Sequence, residues 1–330
     1  LRGLFGRERG IDHPHLYLMQ PFDPRRRIIV MMHGLASSPE AWVNVANELL
    51  ADEELRCEFQ VWEIYYPTNM PVPASHAAIR QVLAAALHHF DPEEETLASH
   101  GLVLIGHSMG GLLARLMVST ADQQLWKWAA SDPRIDLDRL GSTRSQLDPL
   151  LRFRPFPGVD RVVFVATPHR GTVVAGQGLG RWVAGLIRLP LTLLSTLGDA
   201  FPARAEIMAT AQATILQNIP NSIDQLDEND PFVKATSELP ISDQVSYHSI
   251  IARRQANGPL AESDDGLVPY RSAHLEGAES EEIIVSGHSV QETAASVVEI
   301  RRILRKDISK HRLTAADSSS VRGGSCPVQR

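Results

Sequence analysis

Residues 101–117 read GLVLIGHSMGGLLARLM. A short apolar run at 102–105 bounded by glycine is the mark of a buried strand, and residues 112–117 have the make-up of a helix packed behind it. Between them stands Gly106-His107-Ser108-Met109-Gly110-Gly111, so Ser108 falls on a strand-to-helix turn. Such a turn crowds its own flanks, which Gly106 and Gly110 keep free of side chains, and it lifts the serine hydroxyl proud of the sheet. Without the strand and the helix, Gly-x-Ser-x-Gly would describe an ordinary surface serine. With them, the chain is committed to layered α/β packing and Ser108 is the candidate nucleophile.

The rest of the chain repeats that alternation. Residues 28–32 form a continuous apolar run, as expected of a strand buried on both faces of a parallel sheet. Residues 59–66, 161–166, 245–252 and 281–285 read as further strands, with Cys57 expected at the start of the first of these. Ser38-Pro39-Glu40 announces a helix to about residue 51, with serine as N-cap and proline at the first helical position. Residues 75–90 are an alanine-rich helix, and its His76, His88 and His89 are expected at the solvent face or the helix end. His248 is expected within a strand, in a structural role. The pattern predicts a doubly wound, mostly parallel sheet whose ligands sit at the carboxyl ends of the strands, where Leu35, Ser108 and Thr167 fall.

The GHSMGG stretch, together with Met32-His33-Gly34-Leu35 and the ATPHRGT segment at 166–172, resembles the α/β-hydrolase superfamily and within it the bacterial lipase and esterase-like branch. The resemblance covers most of residues 27–306 and implies an α/β-hydrolase fold with a helical cap. It implies Ser108 as nucleophile and the backbone N–H groups of Leu35 and Met109 as the oxyanion hole. Asp265, in Asp265-Gly266-Leu267-Val268-Pro269, matches the acid, with Asp264 one residue out of register as the alternative. His288, on the loop after the last strand, matches the base; His274 is its rival but lies too near Asp265 to come from a separate strand end. His169 precedes the acid in the chain, against the order Ser, Asp, His, so His169 and Arg170 are read as positioning residues. His33, His107, Thr167, Trp182 and Leu186 are expected to contact substrate.

Residues 1–24 read as a leader packed on the core, 25–306 as the catalytic domain and 307–330 as a polar tail. Within the domain, 121–158 is an insertion, and 173–240, with leucines at helical spacing around Trp182, is a cap whose apolar face would hold an acyl chain. The 330 residues carry a net charge of −7 and no sustained basic run, which excludes nucleic acid as a natural partner. Cys57 and Cys326 make neither a disulfide framework nor a metal cluster. No stretch approaches the ~20 apolar residues of a membrane span. No metal, nucleotide or flavin signature is present, so no cofactor is implied.

The expected activity is a serine carboxylic-ester hydrolase, an esterase or lipase acting on small-molecule or lipid acyl esters, with transient contact to a lipid surface compatible with it. The alternatives keep the triad and change the bond: a deacylase of complex lipids, an amidase or thioesterase, or an acyltransferase. A non-enzymatic hydrolase-like scaffold would require a broken triad. An exported or envelope location is expected if the leucine start reflects processing, and a cytoplasmic one otherwise.

Overall fold

The computed structural model describes residues 14–68, 70–132, 147–172 and 226–317. Strands β1 (His15–Leu18), β2 (Arg27–Met32), β3 (Phe59–Tyr65), β4 (Leu102–His107), β5 (Val159–Val165), β6 (Ser246–Arg253) and β7 (Ser280–Val285) form one sheet in the order β1-β3-β2-β4-β5-β6-β7. All neighbours run parallel except β1, which pairs antiparallel to β3 at the edge. The described helices are α1 (Val43–Ala51), α2 (Glu53–Glu58), α3 (Val72–Phe90), α4 (Met109–Met117), α5 (Gln124–Ser131), α6 (Asp148–Leu151), α7 (Pro231–Ser237), α8 (Tyr270–Ala273) and α9 (Ala294–Asp317).

The central strands are apolar throughout because both of their faces are covered. Along β2, Ile28, Val30 and Met32 face a core shared with Ile79 and Leu83 of α3 and Leu112 and Leu116 of α4. The intervening Ile29 and Met31 face a second core with Val45 and Leu49 of α1 and Ile300, Ile303 and Leu304 of α9. A period of two across a sheet sandwiched by helices thus divides one strand between two hydrophobic layers.

Several expectations change here. Residues 15–18 add an edge strand to the sheet rather than only packing on it. Cys57 lies in α2, not in a strand, and is disulfide-bonded. A single helical turn at Pro39–Trp42 precedes α1, and the Ser38 hydroxyl caps no backbone N–H because it turns to the Glu40 carboxylate. His76 is fully buried with its ring 4.3 Å from that of Phe153, while His88 and His89 are exposed. Asp230-Pro231 opens α7, the Asp230 carboxylate accepting from the Phe232 N–H at 2.7 Å.

The largest change is at the carboxyl end, where α9 continues to Asp317 through the expected polar tail. Asp307 is 1% exposed and accepts from Arg27 Nη1 at 2.6 Å and Arg161 Nε at 2.8 Å, so the helix is pinned to the amino ends of β2 and β5. His248 has the expected structural place, buried in β6 with Nδ1 2.7 Å from Ser280 Oγ and the Arg161 guanidinium against Nε2; burial first, and that cation second, lower it to about 4.

Candidate active site

The strand ends bring together the residues that the sequence singles out. Met32 of β2 lies beside Gly106 of β4, His107 beside Val165 of β5, and Val165 beside Ile250 of β6, so the loops after these strands emerge at one edge. Ser108 stands between β4 and α4 with φ 54° and ψ −122°, a strained conformation for a residue with a side chain. The turn closes tightly enough that a Cβ on Gly106 would meet the Gly110 carbonyl oxygen at 2.5 Å, and one on Gly110 would meet the Met32 oxygen at 2.3 Å. Both glycines are therefore required by space.

His288, on the loop after β7, has Nε2 2.8 Å from Ser108 Oγ and Nδ1 2.8 Å from Asp265 Oδ2. Asp265 is 2% exposed, and its other oxygen, Oδ1, accepts the N–H groups of Leu267 and Val268, each at 2.8 Å. A carboxylate held on both oxygens presents one fixed lone-pair direction to the imidazole and keeps its proton on Nδ1. Nε2 is then the acceptor for the serine hydroxyl. The rivals are placed elsewhere: Asp264 is exposed and accepts the Gly266 N–H at 2.6 Å, and His274 Nδ1 sits 2.6 Å from Glu281 Oε2. His169 is fully buried, ring edge to the face of Phe164, and far from a base's role because burial pushes it well below the usual histidine range.

The loop after β2 closes against the serine. A Cβ on Gly34 would lie 3.1 Å from Ser108 Cβ, so the residue before Leu35 abuts the serine, and Met109 is the first residue of α4, where N–H groups lack partners within a helix. Ala36 follows with φ 56°, its N–H donating to Thr68 Oγ1 at 3.2 Å. His33 locks the same loop from below: Nδ1 donates to the Gly34 oxygen at 3.0 Å, Nε2 accepts the Tyr66 N–H at 3.4 Å, and the Tyr66 hydroxyl donates to the His33 oxygen. With its ring stacked on Tyr66 at 4.4 Å and fully desolvated, His33 is lowered to about 4 and stays neutral.

His33, His107 and Thr167, expected to contact substrate, are each held by the protein's own groups. Both ring nitrogens of His33 are engaged by backbone. His107 Nε2 donates to the His288 carbonyl at 2.8 Å, and burial, with the neighbouring His288 next, lowers it to about 3. Thr167 is 1% exposed, and its hydroxyl fills the space where a Cβ on Gly111 would fall, at 1.8 Å. All three brace the loops around Ser108. Trp182 and Leu186 lie outside the described residues. Tyr66 and Thr68, which hold the loop of Leu35, were not singled out by sequence; the only signal was their place in the loop following β3.

Among the described residues no group of His, Cys, Asp and Glu is arranged to hold a metal ion, and no helix is long and apolar enough to cross a membrane. No protein of curated function matches the sequence significantly. A family model described as the alpha/beta hydrolase family matches residues 29–300. Among solved structures, the chain is similar to the mature form of the Bacillus licheniformis lipase BlEst2, at 15% identity and a TM-score of 0.51 over 88% of this chain and 97% of that one. Esterase B from Lactobacillus rhamnosis, solved with a tributyrin phosphonate, follows at 11% identity and 0.49 over 96% and 87%. At such identities the likeness speaks for the fold alone.

Proposed function

The chain belongs to the alpha/beta hydrolase family, and from that premise we propose that it is a serine hydrolase of carboxylic esters, working through Ser108, His288 and Asp265. One observation carries the reading: the unbroken line from Ser108 Oγ through the His288 imidazole to Asp265, with 2.8 Å at each step. His288 Nε2 takes the hydroxyl proton as Oγ attacks the acyl carbonyl, and the resulting imidazolium is stabilised by Asp265 across Nδ1. The oxyanion is received by the N–H groups of Leu35 and Met109 in a pre-set cradle, where one such donor lowers the barrier by about 2.7–4 kcal/mol. Collapse breaks the bond to the alcohol, which leaves with the proton from Nε2. A water activated by the same nitrogen then cleaves the acyl-serine ester and restores the enzyme.

The strain at Ser108 and Ala36 supports the reading, since backbone held in such conformations clusters where geometry is part of the chemistry. So does the neutrality of His33 and His107. Two imidazoles beside the site that refuse protons add no charge to oppose the one forming on His288.

A fluorophosphonate probe applied to the native protein and to Ser108→Ala, alongside p-nitrophenyl esters of increasing acyl length, tests the proposal. Labelling and turnover are expected in the native protein and neither in the variant; the substitution lowers kcat by about 10⁶. The chain-length profile then divides esterase from lipase. Labelling without ester turnover would move the bond to an amide, a thioester or acyl transfer. An unlabelled native protein would overturn the reading.

A further inference from the structure

We infer that Thr172 and Arg170, in the Thr167-Pro168-His169-Arg170-Gly171-Thr172 segment, are positioning residues for Asp265; the inference rests on the triad reading above. Asp265 belongs to no helix or strand. It stands in the connection from β6 to α8, where a loop left to itself would let the carboxylate wander. Its Oδ1 is held by the N–H groups of Leu267 and Val268, so the acid is only as fixed as those two residues. Leu267 is held in turn from outside the loop: the Thr172 hydroxyl donates to its carbonyl oxygen.

Thr172 therefore begins a line of contacts that runs through Leu267 and Asp265 to His288 and Ser108. Arg170 fastens α8, the helix into which that loop runs. Its Nη1 donates to the carbonyls of Arg271 at 3.0 Å and His274 at 2.7 Å, where α8 runs out of internal partners. The Arg170 N–H donates to Ser272 Oγ at 3.1 Å, and that hydroxyl donates to the Gly171 oxygen at 2.6 Å. On the opposite side the segment is anchored, the Thr172 N–H donating to the Leu226 oxygen at 2.7 Å. The loop after β5 is thus stapled to residues 267–274, with the candidate acid immediately ahead of the stapled stretch.

The consequence is specific to the imidazole. A carboxylate displaced by a fraction of an ångström still permits folding and substrate binding, but it ceases to fix the proton on Nδ1 and to stabilise the imidazolium. Loosening the staple should thus act on kcat and spare KM.

The test places Thr172→Val, Thr172→Ser and Arg170→Met in the native protein and in Asp265→Asn, with ester turnover and thermal melts read on each. In the native background Thr172→Val is expected to lower kcat on the order of tenfold at unchanged KM, short of the about 10²-fold that a 1 Å misplacement can cost. Thr172→Ser, which keeps the hydroxyl, should restore kcat. In Asp265→Asn the same substitution should cost less than about twofold, since the group being positioned is gone.

An equal loss of turnover in both backgrounds, or a lowered melting temperature with unaltered kcat, would sink the inference. Arg170→Met, at an exposed side chain, carries the same expectations if Thr172→Val does not fold. Absence of Ser108-dependent turnover in the native protein would instead overturn the reading on which the inference rests.

Discussion

At the carboxyl ends of the strands Asp265 holds His288, and at their amino ends Asp307 holds Arg27 and Arg161; the two carboxylates are 2% and 1% exposed. Each is a buried charge satisfied on both oxygens. The difference lies in the partners. Asp307 faces two guanidinium groups that never release a proton, and the imidazole beside it, His311, turns its Nε2 to the Asp160 carboxylate and to no hydroxyl, so the cluster holds parts together. Asp265 faces two backbone N–H groups and one imidazole, whose second nitrogen remains in contact with a hydroxyl. A buried polar cluster becomes capable of chemistry when one member can change its charge and still reach a neighbour.

The sharpest way to break this comparison is Asp265→Asn. It keeps the shape, forfeits the preference for the Nδ1 proton, and is expected to lower kcat by about 10⁴ while the urea midpoint stays near that of the native protein. Asp307→Ala should do the reverse. Leaving Arg27 buried without a carboxylate, and Arg161 with Glu279 alone, is expected to cost about 3–5 kcal/mol in urea unfolding, with activity per folded molecule unchanged. If Asp307→Ala abolished activity in protein shown to be folded, or Asp265→Asn left kcat intact, the division would fail.

Smaller effects sharpen the same contrast through pH. His33, His76 and His107 are lowered to about 4, 3 and 3, in each case first by burial. As pH falls below about 6.5 the unfolded chain takes up protons that the folded one refuses, so stability present at neutral pH is lost progressively toward pH 4. Melting temperatures should fall through that window, less steeply in His76→Gln. Glu63 has the opposite sign. Buried in β3 with Glu40 as a further influence, it is raised to about 7, so its contribution is intact in acid and lost as pH rises from about 4.5 through 7. Glu63→Gln is expected to be more stable than the native protein at pH 8 by on the order of 1–3 kcal/mol and indistinguishable at pH 4.

What the sequence makes legible follows from what is local. Strands β2, β4 and β5 announce themselves because both faces are buried and the apolar run is unbroken; the candidates Ser108 and His288 stand out because each closely follows a strand, and Asp265 because it opens Asp-Gly-Leu-Val-Pro between them in the chain. β1 is silent, since an exposed edge strand of four residues leaves only two inward positions, Leu16 and Leu18. Asp307 reads as tail because its partners lie 280 and 146 residues away, and a salt bridge at that separation has no pattern along the chain. The staple on the acid loop is hidden for a different reason. Thr172 and Arg170 bind carbonyl oxygens, which every residue carries, so nothing in the identities of Leu267, Arg271 or His274 betrays them. His76 was misjudged because one helix face cannot be assigned until the neighbouring helix is placed.

The short contact from the Thr172 N–H to the Leu226 oxygen has a wider meaning for how such a chain can change. The backbone that departs at Thr172 returns beside it, so residues 173–225 are joined to the sheet as a graft is joined to a stock. Closing a longer or shorter graft at that point alters the entropy only with the logarithm of its length. A change of length there would reach the seven strands only through that closure.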